Sequence, residues 1–466
     1  MSTRSESDAG RYDIILILLF LALVLVGWSM IFAVEYLPET YSGLFNFQKN
    51  YGKQLLFIFV CIGLFGIIQL IDVKIFEIFA VVFYGFCLVL LVGVLFTKPI
   101  NGSTSWYNLG GFSLQPSEFA KMATCLFLAS HMGRSEFKLQ NPTHLLQAIG
   151  IIAAPMFLVL LQGDLGSTLV YLSFSIVFFR AGANPLIYIF GLFMIGLSIV
   201  ALKFDDLGAI VLGLLLIGNL LLSWTWQQYI LHFLSAFVLS ILSIYLYSLD
   251  YSWLAFALLG IVFLGLLVVN FTKYWQLTII VSATFVLSIV YAYSVSAFVN
   301  NILKPHQQER IWVWLRPEKC DPQGALYNVE QSKYAIGSGG IAGKGYLQGE
   351  RTKLDYVPEQ STDFIFCTVG EEWGWVGTTF VIGLFLALFI RILIIAERQR
   401  SLFSKYFCYG AVGILFFHFF INIGMTIGLI PVVGIPLPLL SYGGSSLMAF
   451  TILFSILVKL DSSSAF

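Results

Sequence analysis

Charge is what this sequence has least of. Lysine and arginine number 25 and aspartate and glutamate 25 among 466 residues, so only 11% of the chain is charged and the balance is zero at pH 7. A neutral chain with no basic run offers no electrostatic footing for nucleic acid, and no such partner is expected. Cysteine is scarce too: six residues, no C-x-x-C pair, most of them inside apolar runs. Cys320 is alone in the longest polar stretch, which excludes a disulfide framework and a zinc site, so no protein metal centre is expected. There is no fixed-period repeat and no low-complexity segment.

What is there instead is hydrocarbon. Hydrophobic residues make up 59% of the chain, more than a soluble domain of this size can bury. Apolar runs of helix-spanning length lie near 13–34, 53–71, 75–97, 117–133, 144–161, 166–181, 186–203, 207–224, 228–248, 252–271, 276–299, 364–394, 406–424 and 441–460. The first is too long for the apolar core of a signal peptide and no small-residue cleavage site follows it, so it is expected to remain as a span. The expected fold is an all-α polytopic membrane protein of about fourteen helices.

Lysine and arginine in the short loops set the orientation. Arg4, Arg11, Arg134, Lys138, Arg180, Arg391, Arg398, Arg400, Lys405 and Lys459 fall on one side if the N-terminus is cytoplasmic, and the even span count brings the C-terminus back to that side. The expected division is a tail at 1–12, a first core part at 13–185, further helices at 186–271, a second core part at 272–460 and a tail at 461–466. Residues 300–362 break the charge bias: this outer loop carries Lys304, Arg310, Arg316, Lys319, Lys333, Lys344, Arg351 and Lys353. Long loops cross regardless of charge, but the clustering also suits an anionic ligand such as a phosphorylated lipid.

Two other outer segments are rich in turn formers, NGSTSWYNLGGFSLQPSEFAK at 101–121 and IGLIPVVGIPLPLLSYGGSS at 427–446. Irregular backbone at membrane depth is tolerated where it is buried in protein or lines a wet cavity. The three polar segments are therefore expected to meet at one outward-facing site, with Ser441 of the last one in it.

Within VPEQSTDFIF, Asp363 stands where polar chain gives way to an apolar helix. It can serve as an N-cap; equally, a carboxylate at the water boundary beside a cavity suits a general base. Pro358 and Glu359 fix its approach. Glu118 and Lys121 share a helix face at i, i+3 and can pair, or Lys121 can face a phosphate. Asp164 in QGDLGST sits between two apolar runs, as a cap or as a site residue. Glu371 and Glu372 fall about two turns into the twelfth span and need partners. His306 and Arg310 border the large loop, and the guanidinium offers a planar fork for phosphate. His232 and His418 are lone histidines in apolar runs and read as core residues. GSGGIAGKG at 337–345 has no strand–turn–helix context and is weak as a nucleotide motif, though its N–H groups and Lys344 could touch an anion.

These stretches, NGSTSWYNLGGFSLQPSEFAK, QGDLGST, HQQERI, QSKYAIGSGGIAGKG, VPEQSTDFIFCTVGEEWGWVG and NIGMTIGLIPVVGIPLPLLSYGGSS, resemble the SEDS family (shape, elongation, division and sporulation) of peptidoglycan glycosyltransferases, on its rod-shape side. The resemblance implies polymerisation of lipid II, the undecaprenyl-diphosphate-linked disaccharide, at the outer face of the bacterial cytoplasmic membrane. It places the essential aspartate at Asp363, the P-S-E-x-x-K pair at Glu118 and Lys121, and the Q-x-D-L-G aspartate at Asp164. It also implies a class B penicillin-binding protein as partner, alongside the membrane lipids. No cofactor is fixed; a divalent cation (Mg²⁺ or Mn²⁺) could share in charge stabilisation. Two departures stand out: Ser105 occupies a position where many members have Arg, and the extra helices at 186–271 exceed the usual ten or so spans. A flippase or transporter of lipid-linked saccharide, a division-type polymerase and a non-catalytic scaffold are the competing readings.

Overall fold

The structure, a computed structural model, describes residues 12–39, 41, 43–99, 103–108, 110, 113–204, 206–224, 230–321, 324–354 and 356–463. They form helices almost throughout. The first long elements are α1 (Ile14–Glu35), α2 (Asn50–Leu70), α3 (Val73–Ile78), α4 (Ala80–Val94), α5 (Pro116–Met132) and α6 (Pro142–Leu161). Then come α7 (Leu165–Val170), α8 (Ser175–Arg180), α9 (Pro185–Lys203), α10 (Leu207–Trp224), α11 (Ile230–Ser248), α12 (Ser252–Asn301) and α13 (Pro305–Leu315). The rest are α14 (Ala325–Ser338), α15 (Glu350–Lys353), α16 (Ile365–Arg398), α17 (Leu402–Thr426) and α18 (Gly444–Ser463). A two-residue hairpin pairs β1 (Tyr107–Asn108) antiparallel with β2 (Ser113–Leu114).

The starts follow local chemistry. Proline opens α5, α6, α9 and α13, where its missing N–H costs nothing. The side chains of Asp13, Asn141, Asp164 and Asn184 each accept a first-turn backbone N–H. Eight helices are long and apolar enough to cross a membrane: α1, α2, α6, α9, the Tyr274–Asn301 part of α12, α16, α17 and α18. Five shorter apolar helices join them among the described residues, and α5, of 17 residues, carries Glu118 and Lys121. The chain is a polytopic helical membrane protein.

Two expected spans are interrupted. The run at 75–97 divides into α3 and α4, and α16 is broken at Gly374, whose φ of 63° and ψ of −157° are not helical. The part of α16 after the break, residues 375–398, is about 36 Å long at 1.5 Å per residue, enough to cross alone. Glu371 and Glu372 therefore lie on a separate segment before that stretch rather than two turns inside it.

The chain divides into two compact units, residues 1–183 with 321–466, and residues 184–320. The second is wider than the 186–271 expected for the extra helices, because α12 runs on through residue 301 and α9 packs against both α12 and α13. Its core holds Leu212, Leu215, Leu222, Leu259 and Phe263. In the first unit α17 runs through the centre, packed by α5, α16 and α18.

One end of the first unit is tied by charge. Asp13, at the start of α1, accepts from Arg391 and Arg398 at 2.7 and 2.9 Å. Arg398 also pairs with Asp461 of α18. Arg180 at the end of α8 and Lys405 of α17 both reach Glu397, at 2.6 and 2.9 Å. The start of α1 and the end of α18 thus lie together. Burial pushes the Asp13 carboxyl up, but bonds from Arg391, from the Leu16 N–H and from Arg398 outweigh it and hold the group below its ordinary value. The polar motif segments occupy the opposite end.

Candidate functional site

The segment 431–442 is the centre around which the other motifs interlock. Asn422 of α17 donates both to the Asp363 carbonyl, at 2.8 Å, and to the Ile435 carbonyl, at 2.7 Å. The Tyr442 N–H donates to the Ser361 carbonyl at 2.8 Å. Gly166 lies under the carbonyls of Val433 and Gly434, so close that a Cβ there would fall 3.0 Å from the Val433 oxygen. Ser441 is buried, and its hydroxyl accepts the Leu437 N–H at 2.8 Å, which closes the turn that places these carbonyls.

Asp363 is half-buried at the mouth of α16. The backbone before it is a tight turn: the Glu359 carbonyl accepts from the N–H groups of Thr362, Asp363 and Phe364 at 3.3, 3.0 and 3.3 Å. Glu359 itself is exposed and adopts φ 52°, a left-handed conformation rare for a side chain of its kind. Its carboxylate accepts from Thr362 Oγ1 at 3.2 Å. Asp363 is thus fixed by main-chain bonds from two directions, the turn behind it and α17 beside it.

Glu118 and Lys121 do pair. Lys121 Nζ donates to Glu118 Oε1 at 2.7 Å, with both side chains at most 2% exposed. Lys121 also reaches His418 Nε2 at 2.8 Å, and His418 Nδ1 lies 3.2 Å from the Pro436 carbonyl. An ammonium can only donate, so Nε2 accepts and the ring hydrogen sits on Nδ1, directed at Pro436. His418 is thus a buried core residue with both ring nitrogens satisfied, as expected, and in being satisfied it bridges the lysine and the proline segment. A lone histidine in an apolar run carries no spacing that announces such a role. Next to this pair, Gln115 donates to Asp164 Oδ2 at 3.1 Å while Asp164 Oδ1 caps the Ser167 N–H at 2.9 Å. Ser103 and Thr104 reach the Gln162 carbonyl, each at 3.0 Å, and Ser445 joins Gln115 to Ser113. Ser105 is buried and hydrogen-bonds Ser103 at 2.5 Å.

The glycine-rich stretch 337–345 does something other than hold an anion. The N–H groups of Lys344 and Gly345 donate to the carbonyls of Glu371 and Glu372, each at 3.0 Å. Where α16 breaks, Trp375 and Val376 donate to the Gly340 and Ile341 carbonyls at 2.9 and 3.1 Å. A Cβ on Gly339 would fall 2.0 Å from the Gly370 oxygen, and one on Gly343 2.1 Å from the Glu372 oxygen. The glycines let two backbones meet at a helix break, which uses the donors that a phosphate cradle would need. Lys344 pairs with buried Glu371 at 2.8 Å, and Glu371 also accepts from the N–H groups of Arg351 and Thr352, both at 2.9 Å, and from the Thr352 hydroxyl at 2.6 Å.

Arg310 is exposed on α13 in the second unit, and His306 is on the same helix with its side chain outside the described residues. Among the described residues no group of three His, Cys, Asp or Glu side chains converges in a way that could hold a metal ion.

A family model described as the FTSW_RODA_SPOVE cell cycle proteins matches residues 13–212 and 210–465. The chain belongs to this family. Within the FTSW_RODA_SPOVE proteins it is similar to the peptidoglycan glycosyltransferase RodA of Treponema pallidum (strain Nichols), with 33% identity over 470 residues and 99% of each chain covered. The peptidoglycan glycosyltransferase MrdB of Escherichia coli (strain K12) is 30% identical over 392 residues, 84% of this chain and 79% of that one. Among solved structures, the crystal structure of the Thermus thermophilus rod shape determining protein RodA matches with TM-score 0.56 at 21% identity, covering 97% of each chain. A chain from a study of structural coordination of polymerization and crosslinking by a peptidoglycan synthase complex matches with TM-score 0.60 at 23% identity, covering 97% of this chain and 98% of that one. At such identities these two likenesses establish the fold. The resemblance carried by the motifs and the family match thus agree, and of the motif segments those in the first unit are gathered around 431–442.

Proposed function

We propose that this FTSW_RODA_SPOVE protein is a rod-shape type peptidoglycan glycosyltransferase. It polymerises lipid II into glycan strands at the outer face of the bacterial cytoplasmic membrane, in wall elongation. Its relatives of 33% and 30% identity carry the name peptidoglycan glycosyltransferase. The observation that carries the reading of the site is the double main-chain anchoring of Asp363, between the Glu359 turn and Asn422.

In this reading a sugar hydroxyl of one substrate attacks the anomeric carbon of the other. The new C–O bond forms as the bond to the diphosphate oxygen breaks, the leaving diphosphate keeps the electron pair, and Asp363 takes the hydroxyl proton. Direct displacement inverts the anomeric centre. Diphosphate is a stable anion and needs no strong general acid; cations must meet its charge instead. Lys121 and Lys344 are held by Glu118 and Glu371, so their proposed part is to shape the site with Asp164 and Glu359. A divalent cation, Mg²⁺ or Mn²⁺, would take ligands from the diphosphate. The partner is a class B penicillin-binding protein that crosslinks the new strand; a synthase complex that coordinates polymerization and crosslinking is the setting of one solved neighbour.

The test is glycan-chain formation from purified lipid II by wild type and Asp363→Asn, with and without a class B partner. A base supplies roughly 10²–10⁴-fold, so Asp363→Asn should be nearly inert while still inserting. Polymer from a folded Asp363→Asn protein removes the assignment. No polymer from wild type with the partner present turns the reading to transport.

A further inference from the structure

The first unit carries four described cations between residues 321 and 362: Lys333, Lys344, Arg351 and Lys353. Three are engaged. Lys344 pairs with Glu371, Arg351 donates to Gln331 at 2.5 Å and lies 5.4 Å from the Tyr334 ring centre, and Lys353 lies 6.0 Å from that of Tyr36. Lys333 is exposed and has no acidic partner among the described residues.

Its position is built. The preceding residue, Ser332, is fully buried: its hydroxyl donates to the Thr426 carbonyl at 2.6 Å and meets Cys367 Sγ at 2.8 Å. Cys367 is one helical turn beyond Asp363, and Thr426 is one turn beyond Asn422, which holds the Asp363 carbonyl. Asp363 and Ser332, the neighbour of Lys333, are thus fixed to the same α16–α17 junction, at positions four residues apart on each of its two segments. The lysine then runs across Gly428. That glycine has φ +77°, and a Cβ on it would fall 2.3 Å from Lys333 Cε and 2.7 Å from Nζ. The positive φ favours glycine at this position, and a Cβ there would be met by a shift of the lysine's flexible end.

We propose that Lys333 binds the diphosphate of the lipid-linked donor and stabilises it as it leaves, an inference that rests on the glycosyl-transfer reading above. An exposed ammonium on a helix fixed to the same α16–α17 junction as Asp363, with no carboxylate partner among the described residues, answers the need that Lys121 and Lys344 cannot meet while paired. Its ligand is a polyprenyl diphosphate, and inorganic pyrophosphate would share the headgroup chemistry without the lipid.

The experiment uses the full-length chain in liposomes, with lipid II as substrate and undecaprenyl diphosphate as competing product. Lys333→Gln should lower kcat/KM on the order of 10–100-fold, the size of one hydrogen bond to a charged group. It should also raise the undecaprenyl diphosphate concentration that halves the rate by about the same factor, while Lys333→Arg restores most of both. Inhibition unchanged in Lys333→Gln, whatever its rate, overturns the proposal, because a lysine that merely caps α17 would not move it. If inorganic pyrophosphate inhibits as well as the lipid form, the headgroup alone is bound and the proposal stands. If wild type makes no polymer, the reaction reading fails, and equilibrium binding of undecaprenyl diphosphate then decides the inference separately: weaker binding by Lys333→Gln sustains it and equal binding overturns it.

Discussion

Lys121→Met should be among the most damaging single substitutions in the chain, and a second substitution should repair it. The ammonium and Glu118 are 2.7 Å apart and at most 2% exposed. On a solvated helix an i, i+3 pair contributes only about 0.3–0.5 kcal/mol. Here removal of the lysine leaves a carboxylate enclosed with no counter-charge, which costs about 3–5 kcal/mol. Glu118→Gln with Lys121→Met removes both charges at once and should return to within about 1 kcal/mol of wild type, because a buried pair is nearly neutral against apolar replacements. The coupling read from the cycle is then at least about 2–4 kcal/mol, and larger by whatever Glu118→Gln costs alone, far above the few tenths expected of independent sites. His418 is the internal control. Its bond to Lys121 joins two helices, a contact worth about 0.6 kcal/mol and at most about 1.7 in a membrane protein, so His418→Leu should cost much less than Lys121→Met. Thermal unfolding of the four variants and His418→Leu in one detergent gives the ranking. Additive single and double effects, or His418→Leu as harmful as Lys121→Met, would refute the reasoning.

Three further outcomes follow from the same structure. Glu371→Gln puts an amide where Lys344, Arg351 and Thr352 all donate, so the 344–354 segment should be cut by protease several-fold faster than in wild type; equal cleavage rates would contradict the role assigned to that carboxylate. Gly343→Val must displace the Glu372 carbonyl, 2.1 Å from the new Cβ, at a residue with φ +81°, and is expected to abolish accumulation of folded protein, measured by detergent size-exclusion yield. Asp13 titrates below its ordinary 3.8 when folded, so its contribution to stability is complete above that value and is lost as pH falls through the lower folded value. Asp13→Asn should accordingly flatten the acid limb of a stability–pH profile, and an unchanged limb would show that its bonds to Arg391 and Arg398 contribute nothing.

Much of this arrangement was legible in the sequence. Helix-length apolar runs declared the membrane bundle, because hydrocarbon demands about twenty residues per crossing. Prolines and glycines at 427–446 marked irregular backbone that had to be covered by protein, and it is the hub to which Asn422, Tyr442 and Gly166 attach. The i, i+3 spacing of Glu118 and Lys121 foretold their pair. Other features had no local signal. His418 meets Lys121 across 297 positions of sequence, and nothing in its apolar surroundings separates a bridging ring from a packed one. The glycines of 337–345 looked like unspent donors because their partners are main-chain carbonyls of Glu371 and Glu372, which no residue pattern displays. The break at Gly374 was hidden inside a continuous apolar run, where hydropathy is silent on φ.

The eight cations of residues 300–362 show most clearly why a count of charges misleads. Read as a list they promise a positive field able to draw in an anion. Folding first divides them: Lys304, Arg310, Arg316 and Lys319 belong to the second unit and the other four to the first. It then neutralises part of what is left. A lysine 2.8 Å from a buried glutamate acts at a distance as a dipole, and its field falls away faster than that of a lone charge. The available attraction in the first unit is therefore weighted toward Lys333, the one of its four with neither an acid nor an aromatic ring beside it among the described residues. On the proposal above, selection of the diphosphate is a matter of where one ammonium can reach, placed by Ser332 and Gly428, more than of how many basic residues the segment contains.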